Sequence, residues 1–135
     1  MNTKKIISQL KKMYPGKVII ENKNEDGVTT EIICEVESTS DHPERSFAIA
    51  VIDSSTLHYH KIITETYKVI KGHLTVFKKN KEYNLKEGDE IVIKPEEVHS
   101  NIGEETWIEV YSKPGWMIDD YYNLEGMIKK YIKRK

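Results

Sequence analysis

The spacing of apolar and polar positions changes once, near the start of the chain. Over residues 3–13 (TKKIISQLKKM), Ile6, Ile7, Leu10 and Met13 recur at helical spacing, while Lys4, Lys5, Lys11 and Lys12 face elsewhere. This predicts a short amphipathic helix that ends before Tyr14-Pro15-Gly16 and packs as a lid over one end of the domain. From residue 17 the period falls to two. The runs 17–21 (KVIIE), 29–37 (TTEIICEVE) and 47–53 (FAIAVID) read as strands, separated by a turn cluster at 22–27 and a polar loop at 38–46. Further strands are predicted around 57–63, 65–71, 74–78, 81–85, 91–93 and 107–112. Short strands with turn signals every 8–12 residues mark an antiparallel sandwich or barrel, and no long helical segment separates them as βαβ units would require.

The expected inward faces are Phe47, Ile49 and Val51, then Tyr67 and Val69, then Ile91 and Ile93. In 107–112 either Ile108 and Val110 or Trp107, Glu109 and Tyr111 could look inward. Cys34, on the Ile32–Val36 face, reads as an inert buried thiol. Residues 119–132 carry Leu124, Met127, Ile128 and Tyr131 at helical spacing, with Asp119 and Asp120 at the start and basic residues at the end, so a closing helix is predicted there. The whole reads as one all-β domain, 1–135, with its barrel over about 17–112 and short flanking helices.

Composition agrees with β structure. The 135 residues include 18 Ile and 9 Val against 5 Leu and only 2 Ala. The net charge of −1 removes the broad basic footprint of a nucleic-acid binder, and the basic end at 129–135 reads as a solvated terminus. No secretory signal and no apolar run of membrane-spanning length is visible, so a cytoplasmic location, with no membrane partner, is expected. A single cysteine excludes an intramolecular disulfide framework and any multi-thiolate zinc site.

Three of the five histidines can be tied together by strand geometry. His58 and His60 are two apart in a β run, so they share a face and lie about 6–7 Å apart along it, close enough to grip one cation. Glu65 opens the next strand on the face of Tyr67 and Val69. A carboxylate aimed at an interior is costly without a partner, and a metal held with neutral imidazoles would satisfy it. An antiparallel meander can bring His99 back beside the pair. Three imidazoles and one carboxylate suit Fe, Mn, Co, Ni or Zn as divalent ions. His42 and His73 read as surface or satisfied residues.

The run His58-Tyr59-His60, four residues, Glu65, six residues, Gly72 resembles the first signature motif of the cupin superfamily. Gly88, five residues, Lys94-Pro95-Glu96, two residues, His99 keeps the spacing of the second motif. There Lys94 replaces the Pro and Glu96 replaces the inner Gly. The Asn expected four residues after the last His is absent; Asn101 lies two after it. The resemblance covers about 47–112. It implies a double-stranded β-helix, or jelly-roll barrel, with His58, His60, Glu65 and His99 as metal ligands in one open end.

These residues point to a metal-dependent protein acting on a small oxygen-rich metabolite. The leading reaction types are isomerisation of a sugar or keto acid, and dioxygenase-type oxygenation. The alternative is a non-catalytic, metal-dependent ligand-binding or sensing domain. Tyr67 is the candidate acid or base near the ion, though a packed core tyrosine is the plainer reading. No organic cofactor is indicated. There is no glycine-rich phosphate cradle, and Arg45 and Arg134 are the only arginines. Open sheet edges point to a homodimer.

Overall fold

The computed structural model describes residues 1–125. Helix α1 (Thr3–Met13) leads into β1 (Val18–Lys23), β2 (Thr29–Glu37) and β3 (Ser46–Ser54). Next come β4 (His58–Tyr59), β5 (Thr64–Lys71), β6 (Leu74–Lys78) and β7 (Lys81–Leu85), then β8 (Glu90–Ile93), β9 (His99–Lys113) and β10 (Tyr122–Asn123). All the pairings are antiparallel, and the sheet curls on itself.

The long strand β9 is the spine of that curl. Its second half, Thr106–Lys113, lies between β3 and β5. Its first half, His99–Gly103, pairs with β6, and His99 also pairs with His58 of β4. Along β3 the register jumps from Ile52↔Thr106 to Ser54↔Ile102, so the intervening residues of β9 form a corner, with Glu105 at φ 47°. One strand therefore serves both layers, which is what closes a jelly roll without a crossover helix.

Alternation sorts the apolar residues into two cores. Tyr67, Val69, Leu74, Val76, Ile91, Ile93 and Ile108 fill the interior with Ala50 and Ile52. The expected inward placement of Tyr67, Val69, Ile91 and Ile93 is what the structure shows, and Ile108 and Val110 settle the open choice on the last long strand. On β3 the expected face is reversed. Ile49 and Val51 point outward, with Ile32 and Cys34, to meet Ile6 and Leu10 of α1; Phe47 packs beside them and stacks on Tyr111. Ala48, Ala50 and Ile52 face inward instead. Both faces of this strand are covered, so period-two alternation defines two faces without saying which one is inside.

The helix is capped by Asn2, whose side chain accepts from the Lys5 N–H. The chain start is also tied to Asp53 and Glu105.

The expected closing helix starts later than 119: residues 119–123 are not α-helical, and helical backbone begins at Leu124 and Glu125, where the described residues end. Ile118–Asp120 is a single 3₁₀ turn, and Tyr122–Asn123 pairs with Tyr59 and His58. The Asp120 carboxylate, expected at a helix start, instead accepts the backbone N–H groups of Lys61, Ile62 and Ile63. That tertiary hold fixes a local conformation incompatible with starting a helix at 119. Residues 126–132 of the expected helix, and the basic end at 129–135, lie outside the described residues. Among the described residues no helix is long and apolar enough to cross a membrane.

Leu10, on the inner face of α1, is fully buried against β2 and β3. Leu10→Ala should lower the unfolding free energy by about 2–4 kcal/mol in urea denaturation. An unchanged midpoint would show that the helix contributes nothing to the fold.

Candidate metal centre

Three strands and the residue that follows one of them deliver the site. β4 supplies His58, the residue just after it is His60, β5 carries Glu65 as its second residue, and β9 starts at His99. The backbone pair His58↔His99 sets two imidazoles side by side, with ring centroids 4.1 Å apart. His60 is 5.2 Å from His58 and 6.0 Å from His99, centroid to centroid. One ligand atom from each of His58, His60, Glu65 and His99 falls within 4.8 Å of all the others. Two ligands on opposite sides of an ion at about 2.1 Å would be about 4.2 Å apart. The cluster, at up to 4.8 Å, is only slightly wider than one coordination sphere, so small side-chain shifts would close it on an ion. All four predicted residues come together; His42 and His73 are not among them.

The orientation of each imidazole is fixed from behind. His58 Nδ1 is 2.7 Å from the Thr56 carbonyl, His60 Nδ1 is 2.7 Å from that of Asp120, and His99 Nδ1 is 2.9 Å from that of Glu97. A carbonyl can only accept, so in each neutral ring Nδ1 carries the proton and Nε2 turns a lone pair toward the centre. Glu65, 4% exposed, adds a carboxylate oxygen 3.1 Å from His60 Nε2 and 3.5 Å from His99 Nε2. Despite that proximity, His60 Nε2 makes no hydrogen bond of acceptable geometry. Four acceptors thus face one another in a buried space, and this donor set fits a divalent ion.

The electrostatics reflect the crowding. Burial pushes the Glu65 carboxyl up, but the close contacts and charge of His60 and then His99 outweigh it and hold it well below the usual range. For His60, burial lowers the pKa, yet close contact with the Glu65 carboxylate and its charge bring it above the ordinary value. His58 goes the other way, lowered to about 4 by burial and then by His99.

Tyr67, two residues along β5 from Glu65, donates its hydroxyl to Glu65 Oε1 at 3.2 Å and lies 3.3 Å from His99 Nε2. Burial first, then the Glu65 and Glu31 charges, push its pKa well above the ordinary tyrosine value. It therefore keeps its proton and serves as a donor.

A cavity of about 850 Å³ opens from this cluster along the barrel. The chain's only two alanines, Ala48 and Ala50, both line it. So do Tyr67, Asn101, Trp116 and Tyr121. Tyr121 lies 4.9 Å from His58, ring to ring, and its hydroxyl meets that of Thr56. β2 turns Glu31, Ile33, Glu35 and Glu37 to the same space.

Sequence reasoning did not reach Asp120, Tyr121, Trp116 or Glu31. The adjacent acids at 119 and 120 looked like a helix start, and nothing local marks Asp120 as the partner of a loop about 60 residues away. The alternation of glutamates with aliphatics in 29–37 was a usable signal. It shows that polar residues share one face, and once the aliphatic face lies under α1 the glutamates must face inward.

No protein-family profile matches the sequence, and no curated protein matches it. Solved structures do. Pac13 of Streptomyces, a nucleoside dehydratase, superposes with a TM-score of 0.66 at 12% identity, over 79% of this chain and 83% of that one. Oxalate decarboxylase from Bacillus subtilis gives 0.67 at 16%, over 82% of this chain but 31% of the larger one. HppE in its Fe(II) form gives 0.61 at 11%, over 73% and 56%. All share the double-stranded β-helix. The chain has the cupin fold, with a buried His-His-Glu-His cluster that could hold a metal ion.

Asp120 holds the loop that carries His60. Burial would raise its carboxyl, but three N–H groups outweigh this and lower it. A carboxyl with a depressed folded pKa stabilises above its unfolded value and loses that contribution as pH falls through the folded one. Asp120→Asn should therefore cost about 1–3 kcal/mol near neutral pH. The deficit should shrink below the ordinary aspartate value of 3.8. A deficit independent of pH in urea melts would contradict this.

Proposed function

We propose that His58, His60, Glu65 and His99 bind one divalent transition-metal ion. On this reading the protein is a metal-dependent cupin enzyme acting on a small oxygen-rich metabolite in the adjoining cavity. The observation that carries it is the convergence of three Nε2 lone pairs and one carboxylate, each imidazole locked by a carbonyl behind it. Such a centre has acceptors and almost no donors, so a cation completes it.

When bound, the ion would supply Lewis-acid polarisation of a carbonyl or hydroxyl oxygen. The chain's residues supply the rest. Tyr67 holds a proton at its hydroxyl within reach of the Glu65 and His99 ligand atoms. Trp116 and Tyr121 wall the cavity near His58 and limit water, while Ser55, Thr56 and Asn101 offer polar atoms for orientation. Isomerisation of a sugar or keto acid needs a protic group of this kind, whereas oxygenation at an iron does not require one. The placement of Tyr67 therefore favours proton-transfer chemistry over oxygenation. The fold-sharing proteins support an enzymatic reading through a dehydratase and a decarboxylase. We also propose a homodimer, supported by the outer edge of β1, where Val18 and Ile20 are exposed.

Elemental analysis of protein purified without chelator or histidine tag should find about one ion per chain, falling below about 0.2 in His99→Ala. Wild-type occupancy that stays below about 0.2 after reconstitution would sink the reading. In a screen of sugars and oxo compounds, turnover should vanish on chelation, and Tyr67→Phe should lower kcat about 100-fold with metal content unchanged. Tight binding without turnover would favour a non-catalytic binding domain. Light scattering at micromolar concentration should give twice the chain mass.

A further inference from the structure

Charge around the cavity is segregated by sign. The full chain is almost balanced, at −1. Yet among the described residues the cavity lining carries seven glutamates and one lysine, Lys23, and no arginine. A bound divalent ion would leave that lining net negative.

Two of the lining groups are specific. Glu31 projects inward from β2, opposite Ile52 of β3, and accepts one hydrogen bond, from Asn22 Nδ2 at 2.9 Å. No cation pairs with it among the described residues. Burial is the main reason its carboxyl is raised, to about 7, the Asn22 hydrogen bond lowering it and the Glu65 charge adding to the rise. The second group is Asn101, 2% exposed, on the same face of β9 as His99. Its Nδ2 donates to Ser55 Oγ at 3.1 Å, while its Oδ1 has no partner. A buried acceptor without a donor has lost water and gained nothing. Both features call for a ligand that brings hydrogen-bond donors and positive charge.

We propose that the cavity's ligand is a small oxygen-rich molecule bearing a cationic nitrogen, such as a primary amine, which Glu31 recognises, and that carboxylates and phosphate esters are excluded. This rests on the reading of the cavity as a substrate site, though not on the ion, and it removes keto acids from the candidate substrates. Asn101 Oδ1 would accept from an N–H or O–H of the same molecule.

The test uses the full chain, ion-loaded and ion-free, with metal content measured on each sample. Glucosamine, glucose and glucuronate share a ring and differ in charge. They are titrated by protein-observed NMR beside a fragment set with equal numbers of primary amines, neutral polyols and carboxylates. Amines should shift the Ser55, Asn101 and Tyr121 signals and bind at least about tenfold more tightly than matched carboxylates. Glu31→Gln should bring that ratio close to one. Carboxylates that bind as tightly as amines, a cavity that no amine reaches, or a preference unchanged in Glu31→Gln would each overturn the proposal. A preference for amines in protein that takes up no metal would uphold it while removing the metal-dependent reading.

Discussion

Four electron-pair donors facing one another inside a barrel would repel if nothing positive stood between them, and the rest of the structure is arranged to hold them there. Each imidazole is turned by a carbonyl from a loop, so the loops must be ordered before the centre exists. Asp120 secures one of them through three backbone N–H groups. Glu97 secures another, accepting from the Lys94 N–H at 2.7 Å and pairing with Lys78 and Lys79 at its surface edge. The opposed shifts of His60 and Glu65 follow from their contact, since each favours the charged form of the other.

The barrel is hollow because of two neighbouring strands. β2 and β3 pack their aliphatic faces outward under α1, an arrangement that turns glutamates and alanines toward the interior. Alanine is too small to fill the space opposite, and glutamate is too polar to close it, so the interior divides into a packed half around Val69, Leu74 and Ile108 and an open half beside the ligand cluster. The outer helix is thus coupled to the inner cavity. By burying Ile49 and Val51 it dictates that Ala48 and Ala50 line the site.

This coupling also explains what could be read from the sequence. The His-x-His pair was legible because a strand puts i and i+2 on one face, and α1 was legible because one face of it is apolar and the other lysine. The parity of β3 was legible too, but its direction was not, since both faces are covered. The sense of 107–112 became fixed only by register, through Ala50↔Ile108. The segment 118–123 was misread for a different reason: its conformation is set by contacts with residues 56–63, and no local period records them.

Glu96 shows how a departure from a motif can keep its geometry. The second cupin motif has glycine there, and this chain has glutamate, yet the backbone sits at φ 69°, in the left-handed region. A side chain in that region costs about 1–2 kcal/mol. The return is local and specific: in this conformation the Glu96 N–H donates to the His60 carbonyl, joining the loop before His99 to the segment that carries His60. The same turn feeds Glu97, whose carbonyl orients His99. What the motif preserves here is a backbone path, and the residue that follows it can change as long as the strain is offset by the hydrogen bond that the path creates.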